Sequence, residues 1–125
     1  MHTILIVEDQ RDVQALLGVA LKQPDRRLLH ALNGEEGLDL ARSERPDLIL
    51  LDVMMPGGMD GLALLRTLRA EAAGNSARVI IMSARTQRKD IDAAYAAGAD
   101  DYLPKPFRLK DLQEAIVRHL QAKAT

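Results

Sequence analysis

Short apolar runs alternate with longer amphipathic stretches along the whole chain, and this alternation restricts the fold more than any other feature of the sequence. The pattern predicts strands at residues 3–7, 27–31, 47–51, 78–82 and 100–103, and helices at 10–22, 34–43, 60–72, 87–97 and 107–121. In the first helix Val13, Leu16, Leu17, Ala20 and Leu21 recur at core-facing spacing, and Leu109, Leu112, Ile116, Val117 and Leu120 repeat this in the last. Asn33 followed by Glu36 resembles a capping box, and Gly98 is a natural stop for the fourth helix. Strict alternation of strand and helix implies a parallel sheet with right-handed crossovers and helices on both faces. The expected fold is therefore α/β: a (βα)5 doubly wound, flavodoxin-like three-layer sandwich whose five strands run in the order 2-1-3-4-5. One domain should span residues 1–122, with 123–125 as a frayed tail.

In such a sheet every strand's carboxyl end lies on one edge, so residues far apart in sequence converge there. Asp52 closes the apolar run from Asp47, where a purely structural residue has little reason to be charged. Ile4-Leu5-Ile6-Val7 stops at Glu8-Asp9, and Val79-Ile80-Ile81-Met82 stops at Ser83. A short strand around Tyr102 delivers Lys105 between two prolines. Taken singly these residues have ordinary readings. Asp9 would be a helix cap, Asp52 a cap as readily as a nucleophile, Lys105 and Ser83 surface groups, Tyr102 a half-buried aromatic, and Asp60 the cap of the third helix. Met54, Met55 and Met59 would be packing residues, and Asp100 and Asp101 solvated ones. Convergence on one edge is what lifts the chemical reading above these.

Three carboxylates brought together repel one another, so Glu8, Asp9 and Asp52 stay ionised together only beside a compensating cation or lysine. An all-oxygen site suits Mg2+ better than zinc, and His2, His30 and His119 are scattered along the chain. Asp52 could then attack a phosphoryl donor to give an acyl phosphate. Lys105 would neutralise the phosphoryl oxygens, and the Ser83 hydroxyl and Ala84 backbone N–H would donate hydrogen bonds to them.

Composition removes several other classes of function. Lys plus Arg total 17 against 18 Asp plus Glu, so the net charge of -1 offers no global attraction to phosphate backbones or anionic membranes. Only Tyr95, Tyr102 and Phe107 are aromatic, which leaves no platform for stacked bases or a flavin ring. The expected partners accordingly exclude direct nucleic-acid binding and membranes. The absence of cysteine fits a reducing compartment, and no apolar run is long enough to cross a bilayer, so a soluble, cytoplasmic protein is expected.

These residues resemble the receiver domains of two-component response regulators. The resemblance spans nearly the whole chain and rests on Glu8-Asp9, Asp52-Val53-Met54-Met55-Pro56 with Met59-Asp60-Gly61, Ser83-Ala84, and the segment from Ala99 to Phe107 containing Lys105-Pro106. It implies that Asp52 is the phosphoacceptor, supplied by the phosphohistidine of a sensor histidine kinase or a phosphotransfer protein. It further implies that Glu8, Asp9, Asp52 and the main-chain carbonyl of Met54 hold Mg2+, that Lys105 pairs with the phosphate, and that the Lys105–Pro106 bond is cis. Ser83 and Tyr102 resemble the family's switch pair, sending the signal out by the fourth helix, fifth strand and fifth helix. The Gly57-Gly58 pair lengthens the loop after Asp52 by one residue relative to the usual pattern, Ser83 replaces the commoner threonine, and Pro104 makes the Lys105 segment unusually stiff. A winged-helix transcription-factor receiver would carry arginine where Ala115 stands, which argues against that type's charge-paired dimer. With no effector domain after Thr125, the expectation is a stand-alone receiver acting through a protein partner or a phosphorelay, as a monomer or weak phosphorylation-linked dimer.

Three rival functions fit the residues less well. An aspartyl-nucleophile phosphatase of the haloacid-dehalogenase type wants a second aspartate two residues after the nucleophile, where Met54 stands. A flavodoxin-like binding module would have its flavin phosphate repelled by Glu8-Asp9. A degenerate receiver that only docks partners would have no need of an intact Asp9, Asp52 and Lys105.

Overall fold

A computed structural model describes residues 1–55, 58–71 and 77–124, with side chains described as far as Gln121. Five strands, β1 (His2–Val7), β2 (Arg26–Ala31), β3 (Leu48–Asp52), β4 (Arg78–Ser83) and β5 (Asp101–Pro104), alternate with five helices. These are α1 (Arg11–Ala20), α2 (Gly34–Glu44), α3 (Gly61–Ala70), α4 (Arg88–Ala96) and α5 (Leu109–Ala124). The strands pair in parallel in the order β2-β1-β3-β4-β5, as the alternation requires. Bounds differ from expectation by a few residues. The largest change is at α5, which runs on to Ala124 through residues of good helix propensity, while Thr125 lies outside the described residues.

Each face of the sheet has its own core. Ile4, Ile6, Leu48, Leu50, Ile80 and Met82 meet Leu17 of α1, Leu21 just after it, and Leu112, Ile116 and Leu120 of α5. On the other face Leu5, Val7, Ile49, Leu51, Val79 and Ile81 meet Leu38 of α2, Leu64, Leu65 and Leu68 of α3, and Ala94 of α4. Both faces of β1, β3 and β4 are thus dry, which explains why these strands read as continuous apolar runs.

Local signals place the helix ends. The Asn33 side chain accepts a hydrogen bond from Glu36 N at 2.8 Å, and that of Asp60 accepts one from Ala63 N at 2.8 Å. Asp60 is therefore the cap of α3. Gly98, at φ 111°, turns the chain after α4 in a conformation that side chains resist.

The helical stripes are narrower than the sequence spacing suggests. Leu16 is 67% exposed whereas Leu17 is 4% exposed, because neighbouring residues on a helix point about 100° apart. Val117 stands beside the buried Ile116 in the same way, and Leu109, the first residue of α5, is also exposed. Ala115 and His119 fill the buried positions instead.

The aspartates at the start of β5 are not solvated groups, contrary to expectation. Asp100 accepts hydrogen bonds from Arg69, Arg78 and Val79 N, joining α3, β4 and the approach to β5. Asp101 accepts from Arg118 at 2.6 Å, His119 at 2.9 Å and Tyr102 N at 2.9 Å. Burial works against its ionisation, but the bonds from His119, Tyr102 and Arg118 outweigh burial and hold the carboxyl below its ordinary pKa.

The two adjacent leucines of α1 give a direct check on this packing. Leu17→Ala should cost about 2–5 kcal/mol of stability, whereas Leu16→Ala should change it by no more than about 0.5 kcal/mol, both measured by urea denaturation. Equal losses would contradict the observed orientation of α1.

Candidate functional site

The carboxyl end of the sheet gathers the charged groups. Asp52 is the last residue of β3, and Glu8 and Asp9 follow β1, its neighbour in the sheet. Each of the three offers a carboxylate oxygen, and these oxygens lie within 4.8 Å of one another. Glu8 is fully buried and Asp52 is 5% exposed. Asp9 does not cap α1, whose N-cap residue is Gln10, so the structural reading of that aspartate is not the one observed.

Lys105 enters this cluster from the end of β5. Its Nζ lies 3.2 Å from Glu8 Oε1 and 3.5 Å from Asp52 Oδ2. Its backbone N–H donates to Ser83 O at 2.7 Å, so the lysine is hung from the end of β4, and the Lys105–Pro106 peptide is cis. Two main-chain donors hold the carboxylates: Gln10 N reaches Glu8 Oε2 at 3.1 Å and Met54 N reaches Asp52 Oδ1 at 3.0 Å.

One lysine does not balance three carboxylates. Burial pushes the Glu8 carboxyl up to about 7; the Gln10 hydrogen bond opposes this, repulsion from Asp52 and a hydrogen bond with Asp9 add to it, and Lys105 pulls it down. The pocket thus carries more negative charge than its own residues neutralise. An all-oxygen cluster in that condition has the chemistry of a site for a hard divalent cation.

Ser83 ends β4, one residue after Met82, whose register partner on β3 is Asp52. The Ser83 Oγ accepts a hydrogen bond from Arg85 N at 3.0 Å, and the Tyr102 hydroxyl donates to Arg85 O at 2.6 Å. The two side chains therefore hold the same loop residue. Ala84, between Ser83 and Arg85, is exposed. Together with Gln10, Val13, Lys105, Pro106 and Phe107 it lines an open, mostly apolar cleft of about 400 Å³ beside the lysine.

Below the cluster, α3 starts close against the end of β3. A Cβ at Gly61 would lie 2.5 Å from Asp52 O and 2.9 Å from Val53 Cα, so glycine is what lets the helix begin there. Met55 is buried and Met54 is half-exposed. Pro56 and Gly57, and with Gly57 the expected one-residue extension of this loop, lie outside the described residues. Glu35 of α2 accepts from Met59 N at 3.0 Å and so holds the far side of the loop.

Two contributors escape the sequence reading. Glu35 and Gln14 act by hydrogen bonds to distant main chain, which no spacing rule announces. Gln14 did leave one sign, a polar residue between the apolar Val13 and Leu17 on the inner face of α1. Gly61 was legible only as part of a motif.

Comparison with known proteins gives one consistent result. The family model described as response regulator receiver domain matches residues 4–117. The chain is similar to the KDP operon transcriptional regulatory protein KdpE of Escherichia coli (strain K12), at 42% identity over 113 residues that cover 90% of this chain and 48% of that protein. It is also similar to the response regulator MprA of Mycolicibacterium vanbaalenii, at 43% identity over 109 residues covering 87% of this chain and 46% of the relative. A crystal structure of a response regulator receiver domain protein (CheY-like) from Methanospirillum hungatei JF-1 superposes with a TM-score of 0.89 at 26% identity, covering 99% of this chain and 97% of that one. The chain spans about half the length of the curated relatives it matches.

One expectation is overturned by these relatives. A partner set without direct nucleic-acid binding does not stand beside a relative that is by name a transcriptional regulatory protein. Charge balance and aromatic content describe this domain's own surface. They carry no information about what the unmatched half of those relatives binds.

The Glu8 shift predicts a pH dependence. A carboxyl whose pKa rises on folding from 4.5 to about 7 binds its proton more tightly when folded, so its contribution is complete below the ordinary value and is lost as pH rises through about 7. In a metal-chelating buffer, thermal stability should fall between about pH 5 and pH 8, by on the order of 2–3 kcal/mol, and Glu8→Gln should flatten the fall. A parent profile flat over that range would contradict the burial of an uncompensated Glu8.

Proposed function

Because this chain belongs to the response regulator receiver domain family, we propose that it is a phosphorylation-dependent signalling switch with Asp52 as the phosphoacceptor. The supporting observation is the placement of the Lys105 ammonium against the Asp52 carboxylate inside a cluster of three acids. In the proposed reaction an Asp52 carboxylate oxygen attacks the phosphorus of a phosphohistidine on a sensor kinase. The P–N bond breaks as the P–O bond forms, the histidine nitrogen leaves with the electron pair and later regains a proton, and Asp52 becomes an acyl phosphate.

Glu8, Asp9, Asp52 and the Met54 carbonyl would hold Mg2+, whose chemistry there is to offset negative charge on the carboxylates and the phosphoryl oxygens. Excess carboxylate in the pocket and the elevated Glu8 pKa support this assignment. Lys105 pairs with a phosphoryl oxygen, and the Ser83 hydroxyl and the Ala84 N–H donate to the others. The apolar cleft of Val13, Pro106 and Phe107 beside Lys105, with Gln10 at its edge, is where the donor protein seats its histidine.

The switch follows from the shared hold on Arg85. To reach a phosphoryl oxygen, Ser83 releases the Arg85 N–H; the loop then shifts, the Tyr102 hydroxyl leaves Arg85 O, and its ring turns inward. That alters the surface formed by α4, β5 and α5. A coupling of about 1–3 kcal/mol is sufficient for such a bias. The domain is a switch that promotes its own phosphorylation rather than an enzyme with independent turnover. By likeness to KdpE, a transcriptional regulatory protein, the output under its control is transcription.

Incubation with acetyl phosphate and Mg2+ should add one phosphoryl group, read by intact-protein mass, and Asp52→Ala or a metal chelator should abolish the addition. Retention of the adduct in Asp52→Ala would remove Asp52 as the acceptor. Phe107→Ser should slow transfer from a phosphorylated histidine kinase by about tenfold or more, a loss of about 1.4 kcal/mol or more in the transition state, while leaving labelling by acetyl phosphate near the parent rate. Equal slowing with both donors would argue against the cleft as the docking site.

A further inference from the structure

Among the described residues the buried polar side chains are Glu8, Gln14, Asp52, Ser83 and His119. Three belong to the site and His119 pairs with Asp101, which leaves Gln14 without a role. Gln14 sits in α1, is 5% exposed, and points at the top of the sheet. Its Nε2 lies 2.8 Å from Ile6 O, 2.7 Å from Ala31 O and 3.3 Å from Glu8 O. Three carbonyl oxygens surround this nitrogen, so only a donor satisfies the position.

The other end of the carboxamide is held as well. Gln14 Oε1 lies 2.6 Å from His30 Nδ1, and since the amide nitrogen faces acceptors, the imidazole is the donor in this bond. The His30 ring reaches Gln14 across Gly18, where a Cβ would stand 3.2 Å from His30 Cε1. His30 lies on the edge strand β2, so the amide orientation is fixed from outside the site.

We infer that Gln14 is a positioning residue for the Glu8–Asp9 acidic pair: its carboxamide, locked by His30, orients the peptide that carries both carboxylates. Glu8 N–H donates to Ala31 O at 3.0 Å, the same oxygen that accepts from Gln14, while Glu8 O faces the Gln14 nitrogen. The main chain at Glu8 is therefore gripped on both sides, and the direction in which Asp9 leaves the strand follows from that grip. The consequence for cation binding rests on the Mg2+ reading above; the consequence for the main chain does not. An outer partner that orients a ligand commonly governs metal affinity by tenfold or more when removed.

The test compares Gln14→Met, which keeps the volume and loses the donors, with Gln14→Glu, which sets a carboxylate against three carbonyls. His30→Ala frees the amide, and Leu120→Ala is a remote destabilised control. In metal-free protein, the backbone amide NMR signals of Asp9 and Gln10 should move in Gln14→Met and, less far, in His30→Ala. Calorimetric titration with MgCl2 should show an affinity about tenfold or more below the parent for Gln14→Met, a larger loss for Gln14→Glu, a smaller one for His30→Ala, and none for Leu120→Ala. Folded Gln14→Met with parent signals and parent affinity overturns the inference, as does an equal affinity loss in Leu120→Ala. Should Gln14→Met fail to fold, parent signals and affinity in His30→Ala overturn it instead. A parent that binds no Mg2+ removes the cation reading alone, and the metal-free signals still decide the role of Gln14.

Discussion

The structure turns on an unbalanced charge: three carboxylates share a largely buried pocket with one ammonium group. Lys105 touches Glu8 and Asp52 and cannot neutralise both together with Asp9. Such an arrangement is costly in a folded protein unless another positive charge completes it. Burial expresses that cost as the raised pKa of Glu8. A cluster with this excess of carboxylate has the chemistry of a hard-cation site, where a bound cation would relieve the repulsion.

Around the charged centre the fold provides rigid supports and one loose one. Two dry cores fix β1, β3 and β4, and with them the points where Glu8, Asp52 and Ser83 leave the sheet. Gly61 lets α3 close against Asp52, and Gln14 ties the ends of β1 and β2 together. The loop after β4 is held differently: Arg85 N–H donates to Ser83 Oγ, Arg85 O accepts from the Tyr102 hydroxyl, and the Arg85 guanidinium lies 4.0 Å from Asp90. Under the proposed switch this loop is the element on which a change at Asp52 would act. The Asp101 cluster with Arg118 and His119 then ties the start of β5 to α5, so that Tyr102 is flanked by a fixed residue on its other side.

Much of this is legible in the sequence. Element order, sheet order and the meeting of Glu8, Asp9, Asp52 and Lys105 at one edge all follow from alternation and from the geometry of parallel sheets. The readings that failed share a cause. Leu16, Leu109 and Val117 were assigned to the core by spacing, which marks a stripe but not its width. Asp100 and Asp101 were read as solvated because their partners, Arg69, Arg78, Arg118 and His119, lie 17 to 31 residues away in sequence.

Hydrophobic periodicity is a local property written residue by residue, so the chain alone specifies which segments are strands, which are helices, and which ends share an edge. Polar partnership is not local. Whether Gln14 meets three carbonyls, whether Asp9 is a cap or a pocket acid, and which leucine of an adjacent pair is buried depend on how packed elements are rotated and spaced. Those choices are settled by the balance of desolvation against hydrogen bonding once the layers have closed, and a linear pattern does not contain that balance.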